Sequence, residues 1–287
     1  MSPAAARPTT LPATGPIELV RAVPKLPARA AAAHKGTFGT VLVVAGSDGM
    51  LGAAILCARG ALRGGAGLVQ AALPAALQAP FTVAVPAAMT RRRSPMAGLR
   101  AAVAAAQCTV VGPGLGGGAA VRALVLAVLR AAQGPVVLDA DALNALAPLR
   151  APLPGAAAKV LLPHPGEAAR LLGCDTKAVQ AQRQRAAVEL SRRSGAVAVL
   201  KGAGTLVCSG RRLFQNRTGN PGMATGGSGD VLAGLCGALL AQGMAPFDAA
   251  RLAVHVHGRA GDLVARRLSP AGLCAEDLPL AVAEVLR

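Results

Sequence analysis

The chain has 287 residues, of which 53% are hydrophobic and 1% aromatic, and its 30 basic residues give a formal net charge of +17. No apolar run reaches the ~18 residues that a membrane-spanning helix needs, so we expect a soluble protein without a membrane partner. With no Trp, no Tyr and four Phe, the chain has little surface for stacking bases, which argues against nucleic-acid binding despite the basic cluster Arg91-Arg92-Arg93. An anionic small substrate is a better use for some of this charge, with the alternative that the excess of arginine reflects a GC-rich genome.

The N-terminal segment and the cysteines indicate the compartment of the protein. Residues 1–25 are rich in Pro, Ala and Thr and lack the apolar core of a signal peptide, which predicts a flexible tail, with a transit peptide as the alternative. The six cysteines show no spacing typical of metal ligands and are expected to be buried thiols in a reducing compartment. We therefore expect a cytoplasmic protein whose single domain covers residues 26–287.

Apolar runs rich in β-branched residues alternate with helical stretches through most of the chain. The predicted strands cover, in chain order, residues 40–45, 67–72, 109–111, 135–138, 159–162, 196–200, 205–208 and 212–215, the last two as a hairpin. The predicted helices cover residues 53–63, 119–132, 142–146, 178–194, 231–241 and 246–267. This alternation predicts an α/β fold, a single domain with a mostly parallel central sheet flanked by helices on both faces.

Polar clusters follow several of the predicted strands at the point where each strand ends. They are Gly-Ser-Asp-Gly at 46–49, Gly-Pro-Gly-Leu-Gly at 112–116, Asp-Ala-Asp at 139–141, Pro-His-Pro-Gly-Glu at 163–167 and Lys-Gly-Ala-Gly-Thr at 201–205. Because ligands of parallel α/β sheets collect at the carboxyl ends of the strands, we expect these clusters to form one site.

The segment with the strongest chemical signal is residues 220–230, Asn-Pro-Gly-Met-Ala-Thr-Gly-Gly-Ser-Gly-Asp, which runs into an apolar helix. Its glycines let backbone N–H groups approach a phosphate, and Ser228 is expected to cap the helix, whose positive end faces the same anion. Asp230 can take the proton of a substrate hydroxyl. An anion-binding loop beside a base predicts phosphoryl transfer from a nucleotide to an alcohol. The alternative is a flexible turn in which Asp230 complements the helix dipole.

Two further side chains carry a functional and a structural interpretation. Lys201 can bind a nucleotide phosphate as a point charge, or it is a surface lysine in a tight hairpin turn. His164 lies between two prolines that stiffen its backbone, so it can bind a substrate amide or hydroxyl, or it is an incidental residue where a helix begins. The histidines at 255 and 257 are interpreted as packing residues because no carboxylate partner is near them in sequence.

The remaining candidates lie in turns. Asp139 is a candidate for holding a magnesium-bound water near phosphates, whereas Asp141 is interpreted as the N-cap of the helix that follows it. The turn at 112–116 brings backbone close to a ligand, although any tight connection can use such glycines. Residues 49–54 likewise offer small side chains where a helix begins.

Together these segments resemble one known family, the ADP-dependent NAD(P)H-hydrate dehydratases of the ribokinase-like superfamily. The motifs that carry the resemblance are His-Lys-Gly-Thr-Phe-Gly at 34–39, Val-Gly-Pro-Gly-Leu-Gly at 111–116, Leu-Asp-Ala-Asp-Ala-Leu-Asn at 138–144, Pro-His-Pro-Gly-Glu at 163–167, Val-Leu-Lys-Gly at 199–202 and the loop at 220–230. They occur in order and cover nearly everything from about Leu26 to the C-terminus.

The resemblance implies metabolite repair. Enzymes of this family phosphorylate the C6 hydroxyl of the (6S)-hydrate of NADH or NADPH with ADP, giving AMP, and then eliminate phosphate. Asp230 would take the hydroxyl proton and bind substrate. The implied hydrate pocket consists of Ala53, Gly114, Gly116 and His164. The implied nucleotide and phosphoryl site consists of Lys201, Gly202, Ala203, Gly204, Thr205, Gly226, Gly227, Ser228 and Gly229.

The resemblance also implies Mg²⁺ with the nucleotide, a homo-oligomer that is often a tetramer, and no nucleic-acid partner. Many bacterial relatives carry an N-terminal epimerase domain, and only ~30 residues precede the matching region here, so we expect this chain to handle the S form with a separate epimerase. The alternative is a ribokinase-like kinase of a vitamin alcohol, such as a thiazole or hydroxymethylpyrimidine. A nucleic-acid-binding module, which would need no Asp230, is a third possibility.

Overall fold

The computed structural model describes residues 15–287. The strands are β1 (Glu18–Val20), β2 (Thr40–Val44), β3 (Leu68–Leu73), β4 (Met89–Arg92), β5 (Cys108–Val111), β6 (Val136–Leu138), β7 (Lys159–Leu161), β8 (Val197–Leu200), β9 (Leu206–Ser209) and β10 (Arg212–Gln215). The helices are α1 (Leu51–Arg63), α2 (Ala75–Ala84), α3 (Met96–Ala105), α4 (Ala119–Ala131), α5 (Asp141–Leu146), α6 (Pro165–Leu172), α7 (Thr176–Ala181), α8 (Arg183–Ser194), α9 (Ser228–Ala241), α10 (Pro246–Leu268) and α11 (Leu278–Val285). Short 3₁₀ helices cover Lys35–Phe38, Pro221–Met223 and Ala275–Asp277.

The described strands form one 10-stranded sheet in the order β1-β10-β9-β8-β7-β6-β5-β2-β3-β4. The two pairings that β9 makes, with β8 and β10, are antiparallel, and the other pairings are parallel. The carboxyl ends of the remaining strands therefore share one edge of the sheet. The α/β prediction is confirmed, and the polar clusters that follow β2, β5, β6, β7 and β8 all lie at this edge.

Each face of the sheet carries its own hydrophobic core. Val41 and Val43 of β2 face a core closed by α1, α2, α9, α10 and α11. Leu42 and Val44 of the same strand face a second core closed by α3 to α8. Alternate residues of a strand point to opposite faces, so a strand buried on both sides shows the continuous apolar run that the sequence has here.

The helices α1 and α9 pack against each other at backbone distance. A methyl group placed on Gly234 of α9 would lie 1.9 Å from the carbonyl oxygen of Cys57 in α1, and one placed on Gly60 would lie 2.4 Å from the carbonyl oxygen of Val231. Only glycine permits this approach. The close contact holds α9, and with it Asp230, against α1.

Several predicted elements need correction. The helix predicted over 178–194 is two helices, α7 and α8, which meet at Gln182. The elements β4, α2, α3 and α11 were missed because their local patterns are weak. The strand β4 reads Met-Thr-Arg-Arg, with no apolar alternation, and α2 contains Pro80.

The expected tail over residues 1–25 is also corrected. Glu18, Leu19 and Val20 form β1, which pairs in parallel register with β10 at the edge of the sheet. The guanidinium of Arg251 in α10 donates a hydrogen bond to the carbonyl oxygen of Ala22, which anchors the residues that follow β1. The folded unit therefore includes residues before position 26, whereas residues 1–14 lie outside the described part of the chain.

Most of the cysteines lie inside the protein. Four cysteines are buried as expected, Cys174 is partly buried and Cys274 is exposed, because Cys274 lies in the turn before the last 3₁₀ helix. Within residues 15–287, no helix combines the length and the hydropathy needed to cross a bilayer.

Candidate active site

The loops after β5, β6, β7 and β8 lie side by side because these strands are consecutive neighbours in the sheet. The N-terminus of α9 packs over the same edge. A methyl group placed on Gly229 would lie 3.2 Å from Nζ of Lys201 and 3.6 Å from Oδ2 of Asp139. Residues far apart in sequence therefore lie next to one another. They come from the glycine loop and from the loops after β6 and β8.

An ion pair lies at the centre of this site. Nζ of Lys201 lies 2.6 Å from Oδ1 of Asp139, whose residue is only 1% exposed. The backbone N–H of Ala140 donates to the same oxygen at 2.8 Å. Burial disfavours the charge on Lys201, but the carboxylates of Asp139 and Glu167 outweigh it and raise the pKa of Lys201. Lys201 therefore stays protonated at neutral pH and lies beside the N-terminus of α9.

Asp230 lies in the first turn of α9 and is partly buried. Burial, followed by the charge of Asp139, raises the pKa of Asp230 from its ordinary 3.8 to about 7, and the charge of Lys201 opposes this shift. A carboxyl group with such a pKa accepts a proton near neutral pH more readily than an ordinary aspartate does. The environment thus suits Asp230 to act as a general base.

The start of α9 differs from the expected serine cap. The N-cap residue is Gly227, whose φ of 89° turns the chain directly into the helix, and no side chain caps it. Ser228 is the first helical residue. Its carbonyl oxygen accepts a hydrogen bond from Nε2 of His257 at 2.9 Å, and its Oγ lies 3.4 Å from the same nitrogen. Burial lowers the pKa of His257 to about 4, so the imidazole is neutral near pH 7.

The glycine loop is also held at its beginning. Asp262 of α10 accepts hydrogen bonds from the backbone N–H of Gly219 at 3.0 Å and from Nδ2 of Asn220 at 3.1 Å. Asp262 has no signal in the sequence, and His257, expected to be a packing residue, contacts Ser228 instead. Both lie on a helix that follows the loop, and no local motif indicates that this helix turns back over it.

The turn at 112–116 forms a second wall with the start of α1. Oγ of Ser47 donates to the carbonyl oxygen of Gly114 at 2.8 Å. A methyl group on Gly114 would lie 3.0 Å from Cβ of Ala53, so two of the candidate hydrate-binding residues are in contact distance. The backbone N–H of Gly116 donates to Oδ2 of Asp141 at 2.8 Å.

The hydrogen bond from Gly116 gives Asp141 a different role from the predicted N-cap. The helix α5 begins at Asp141 itself, and its N-cap position is occupied by Ala140. Ala140 has a φ of 49° and a ψ of −117°, a conformation that L-residues rarely adopt. This strained turn lets Asp139 contact Lys201 while Asp141 contacts the turn at Gly116.

His164 lies at the N-cap of α6. Its Nδ1 accepts from the backbone N–H of Gly166 at 3.0 Å and of Glu167 at 3.4 Å, and Glu167 in turn accepts from the backbone N–H of His164 at 2.8 Å. These hydrogen bonds fix the orientation of the His164 ring. The His164 side chain is 50% exposed. Burial raises the pKa of Glu167 to about 7, and the charge of Lys201 opposes this shift.

The loop at 201–205 follows β8 and is held from α8. The guanidinium of Arg183 donates to the carbonyl oxygens of Leu200 and Lys201, each at 3.2 Å. Oγ1 of Thr205 closes the loop by donating to the carbonyl oxygen of Gly202 at 2.8 Å. A cavity of about 440 Å³ borders this loop at Ala203 and Gly204, on the side of α7 and α8. The role of Arg183 had no signal in the sequence.

The arrangement defines the class of protein. A parallel α/β sheet, a glycine loop that opens a helix and an aspartate in its first turn are the features of a ribokinase-like fold. A ribokinase-like protein of Enterococcus faecalis is 27% identical, with a TM-score of 0.83 over 91% of each chain. A hydroxyethylthiazole kinase of Pyrococcus horikoshii, 17% identical with a TM-score of 0.59, shares the fold alone.

The comparisons narrow this class to one family. The profile of the NAD(P)H-hydrate dehydratases matches residues 41–281. The ADP-dependent (S)-NAD(P)H-hydrate dehydratase of Neisseria meningitidis is 44% identical over 262 residues, which are 88% of this chain and 86% of that protein. The ADP/ATP-dependent NAD(P)H-hydrate dehydratase of Bacillus subtilis, co-crystallised with ATP and Mg²⁺, is 34% identical with a TM-score of 0.82 over 91% of this chain and 93% of its own. The chain belongs to the NAD(P)H-hydrate dehydratase family.

Other relatives are longer. A bifunctional NAD(P)H-hydrate repair enzyme of Moorella thermoacetica is 42% identical over 266 residues, which are 88% of this chain and 50% of that protein. The chain thus spans about half the length of the bifunctional relatives that it matches.

Proposed function

We propose that this protein dehydrates the (6S)-hydrates of NADH and NADPH, using ADP as phosphoryl donor and releasing AMP and phosphate. The observation that carries the proposal is the position of Asp230, in the first turn of α9 and beside the Asp139–Lys201 ion pair. Membership of the NAD(P)H-hydrate dehydratase family and the name of the Neisseria relative support the substrate and the nucleotide.

The proposed reaction has two steps. Asp230 takes the proton of the C6 hydroxyl while that oxygen forms a bond to the β-phosphorus of ADP and the bond from this phosphorus to AMP breaks. The C6–O bond then breaks with phosphate as the leaving group, and a proton leaves C5, which restores the C5=C6 double bond. Hydroxide is a poor leaving group and phosphate a good one, so the first step makes the second possible.

The charge that develops on the transferred phosphoryl group meets two fixed sources of positive potential. One is the N-terminus of α9, where the N–H groups of Ser228 and Asp230 donate to the carbonyl oxygens of Thr225 and Gly227 at 3.5 and 3.1 Å, while that of Gly229 has no acceptor among the described residues. The other is Nζ of Lys201, which Asp139 holds in place at 2.6 Å. We assign Gly226 to Gly229 to the phosphoryl group and Lys201 to Thr205 with Gly229 to the nucleotide. Preorganised groups of this kind stabilise phosphoryl transfer.

The hydrate would lie between this charged centre and the wall formed by Ala53 and Gly114. Gly116 offers backbone at the same wall, and the exposed imidazole of His164 closes the pocket from the neighbouring strand. Nδ1 of His164 accepts two backbone hydrogen bonds and its Nε2 lies 3.3 Å from Oε1 of Glu167, so a substrate that bound Nε2 would meet this carboxylate as well.

Mg²⁺ with the nucleotide is part of the proposal. Among residues 15–287, no three His, Cys, Asp or Glu side chains gather in an arrangement that could hold a metal ion. We therefore expect the ion to be held mainly by nucleotide phosphates and waters, with Asp139 contributing through a water. This is the coordination that Mg²⁺ prefers. When bound, the ion neutralises phosphate charge.

We also propose that the active form is a homo-oligomer, with a tetramer as the expected state from the family resemblance. Light scattering of the purified protein measures this directly.

A kinase of a vitamin alcohol is the second candidate, since the thiazole kinase of Pyrococcus horikoshii shares the fold. The two functions differ in the fate of the phosphate, which a kinase leaves on its product. Recovery of the reduced-nicotinamide absorption band distinguishes them, using purified protein, hydrated NADH, Mg²⁺ and either ADP or ATP. Recovery with ADP and formation of one AMP per NADH support the proposal. Recovery with ATP alone changes the donor, and no recovery with either nucleotide rejects the dehydratase.

A further inference from the structure

The basic cluster Arg91-Arg92-Arg93 lies at the end of β4, the outermost strand on one side of the sheet. Because β4 is parallel to β3, its carboxyl end lies at the same edge as the candidate active site. Arg92 is exposed and Arg93 is partly buried. Nothing in the proposed reaction so far uses these cations.

Arg93 is a partly buried arginine that binds backbone carbonyls, as Arg183 does. Its guanidinium donates to the carbonyl oxygen of Gly46 at 2.7 Å and approaches that of Ala45 at 3.4 Å. Within residues 15–287, no carboxylate lies within ion-pair distance of Arg93 or of Arg183, whereas the partly buried Arg193 is paired with Glu189. Burial without a counter-charge lowers the pKa of Arg93. An anionic ligand would supply the missing charge.

Arg93 is joined to the proposed hydrate pocket through two short contacts. The residue that accepts its hydrogen bond, Gly46, donates its own N–H to the carbonyl oxygen of Pro113 at 2.9 Å. The next residue, Ser47, donates to the carbonyl oxygen of Gly114 at 2.8 Å. The guanidinium therefore lies on the outer side of the loop whose inner side contacts the pocket turn.

The length of the substrate fits this placement. The loop assigned to ADP follows β8, on the opposite side of the site from β4. The rest of the hydrated dinucleotide would therefore extend away from β8, toward β4. Arg92 ends β4, three strand spacings or about 14 Å from β5 at ~4.8 Å each, whereas the Arg93 guanidinium reaches the loop after β2, the neighbour of β5; an extended dinucleotide covers both distances. Asp48 is the acidic residue of the intervening loop, and its exposed side chain suits a ribose hydroxyl rather than a phosphate.

We propose that Arg92 and Arg93 bind a phosphate group of the hydrated dinucleotide, either its pyrophosphate or the 2′-phosphate that distinguishes NADPH from NADH. The proposal rests on the proposed dehydratase function. It makes the end of β4 the place where substrate affinity, and in the second case the choice between the two hydrates, is determined.

The test is steady-state kinetics of Arg92→Ala, Arg93→Met and the double variant with each hydrate. Arg93→Met keeps the aliphatic stem against the loop and removes the charge. Loss of a charge-assisted hydrogen bond should raise KM about tenfold or more, with kcat little changed, because the contact is remote from the reacting atoms. The control is Arg130→Ala, an exposed arginine in the last turn of α4.

Each outcome decides between these possibilities. A larger rise in KM for the NADPH hydrate identifies the 2′-phosphate, and an equal rise for both hydrates identifies the pyrophosphate. Unchanged KM values, or a loss of kcat together with a lower melting temperature, overturn the proposal. Titration of intact NADPH onto wild type and variants gives a second measurement that needs no turnover. Wild-type protein that binds NADPH more tightly than the variants but restores no hydrate would retain the arginine site and reject the dehydratase.

Discussion

Two aspartates and one lysine, Asp139, Asp230 and Lys201, lie together at the site in different environments. Asp139 is almost completely buried and takes the lysine as its partner at 2.6 Å. Asp230, at the end of the glycine loop, is left with burial and a neighbouring negative charge, and its pKa rises to about 7. Lys201 therefore provides a fixed cation for phosphate, while burial and the charge of Asp139 keep the pKa of Asp230 near neutral pH.

We expect kcat/KM of the wild-type protein to rise about tenfold per pH unit below the pKa of Asp230 and to level off above about 7. Asp230→Asn should lower kcat about 10²–10⁴-fold, because the amide cannot take the hydroxyl proton, while ADP binding is retained. The pH profile and calorimetric titration of ADP measure these effects. The control is Asp175→Asn at the N-cap of α7, where Asn caps as well as Asp. Near-normal turnover of Asp230→Asn would reject the assigned base.

The same substitution should have an effect on stability of defined sign. Asp230 has a higher pKa in the folded protein than its ordinary 3.8, so the folded state binds the proton more tightly than the unfolded state. Its contribution to stability is present below the ordinary pKa and is lost as the pH rises through about 7. Asp230→Asn should therefore match wild type below the ordinary pKa of 3.8 and exceed it increasingly as the pH rises to about 7, by on the order of a few kcal/mol at alkaline pH.

Urea unfolding of both proteins near the ordinary pKa of 3.8 and above pH 7 measures this difference. Glu167 also has a raised pKa, and its charge raises the pKa of Asp230, so the measured difference includes the loss of this coupling. Equal stability of the two proteins at alkaline pH would show that Asp230 carries no buried charge.

At the scale of elements, α9 is the helix that the function depends on, and its position is set by backbone contact with α1. Gly234 contacts the carbonyl of Cys57 at a distance that leaves no room for a methyl group. The two ends of the glycine loop are in turn held by α10, through His257 on Ser228 and Asp262 on Gly219. The catalytic loop is thus clamped between helices rather than built on its own local structure.

Gly234→Ala should lower the free energy of unfolding by about 3 kcal/mol even though alanine is the better helix former, because the methyl group would force α1 and α9 apart. The matched control is Gly98→Ala in α3, where a methyl group would meet nothing within 4 Å. We expect that variant to be stabilised by up to ~1 kcal/mol. Denaturant unfolding of both variants checks the pair, and similar effects at the two sites would contradict the tight packing of α9.

At the scale of the whole molecule, the sheet extends further in both directions than its central strands. The outer strands β1 and β4 bring the N-terminal residues and the cluster at Arg91 to the edges of a sheet whose centre carries the chemistry. The edge at β1 is joined to the main body by three paired residues and by the bond from Arg251 to Ala22. Val20 and Val23 also pack against the first core.

A chain that begins at residue 26 should melt on the order of 5 °C lower than one that begins at residue 15. The two chains differ only in the segment that contains β1, and without it the buried guanidinium of Arg251 loses one of its acceptors. Differential scanning calorimetry measures the shift. Identical melting temperatures would mean that β1 adds no stability to the sheet.

Much of the fold could be predicted because its central strands carry their signal locally. A run such as residues 40–44 is apolar on both faces, and the polar turn after it marks the end of the strand. The outer strand β4 could not be predicted, since half of its residues are arginine and its contacts are with β3 and α2, which only the tertiary structure brings to it. The break between α7 and α8 at Gln182 likewise has no glycine or proline to mark it.

The candidate site divides in the same way. The residue types of the glycine loop and of the turns after β5 to β8 are readable in sequence, because phosphate binding needs glycine-rich backbone and parallel sheets collect ligands at one edge. The residues that they contact could not be predicted from the sequence. Asp141 was interpreted as a helix cap and contacts Gly116 instead, and Ser228 was interpreted as a cap and contacts His257.

By itself, the sequence determined the alternation of strands and helices, the edge at which the polar turns meet and the residues able to do chemistry there, since each of these depends on a local period or residue type. The tertiary structure alone decided which of these residues touch. Lys201 meets Asp139 across 62 positions of the chain, and Arg93 meets Gly46 across 47. Contacts of that kind depend on strand order and helix packing, and no short stretch of sequence specifies either.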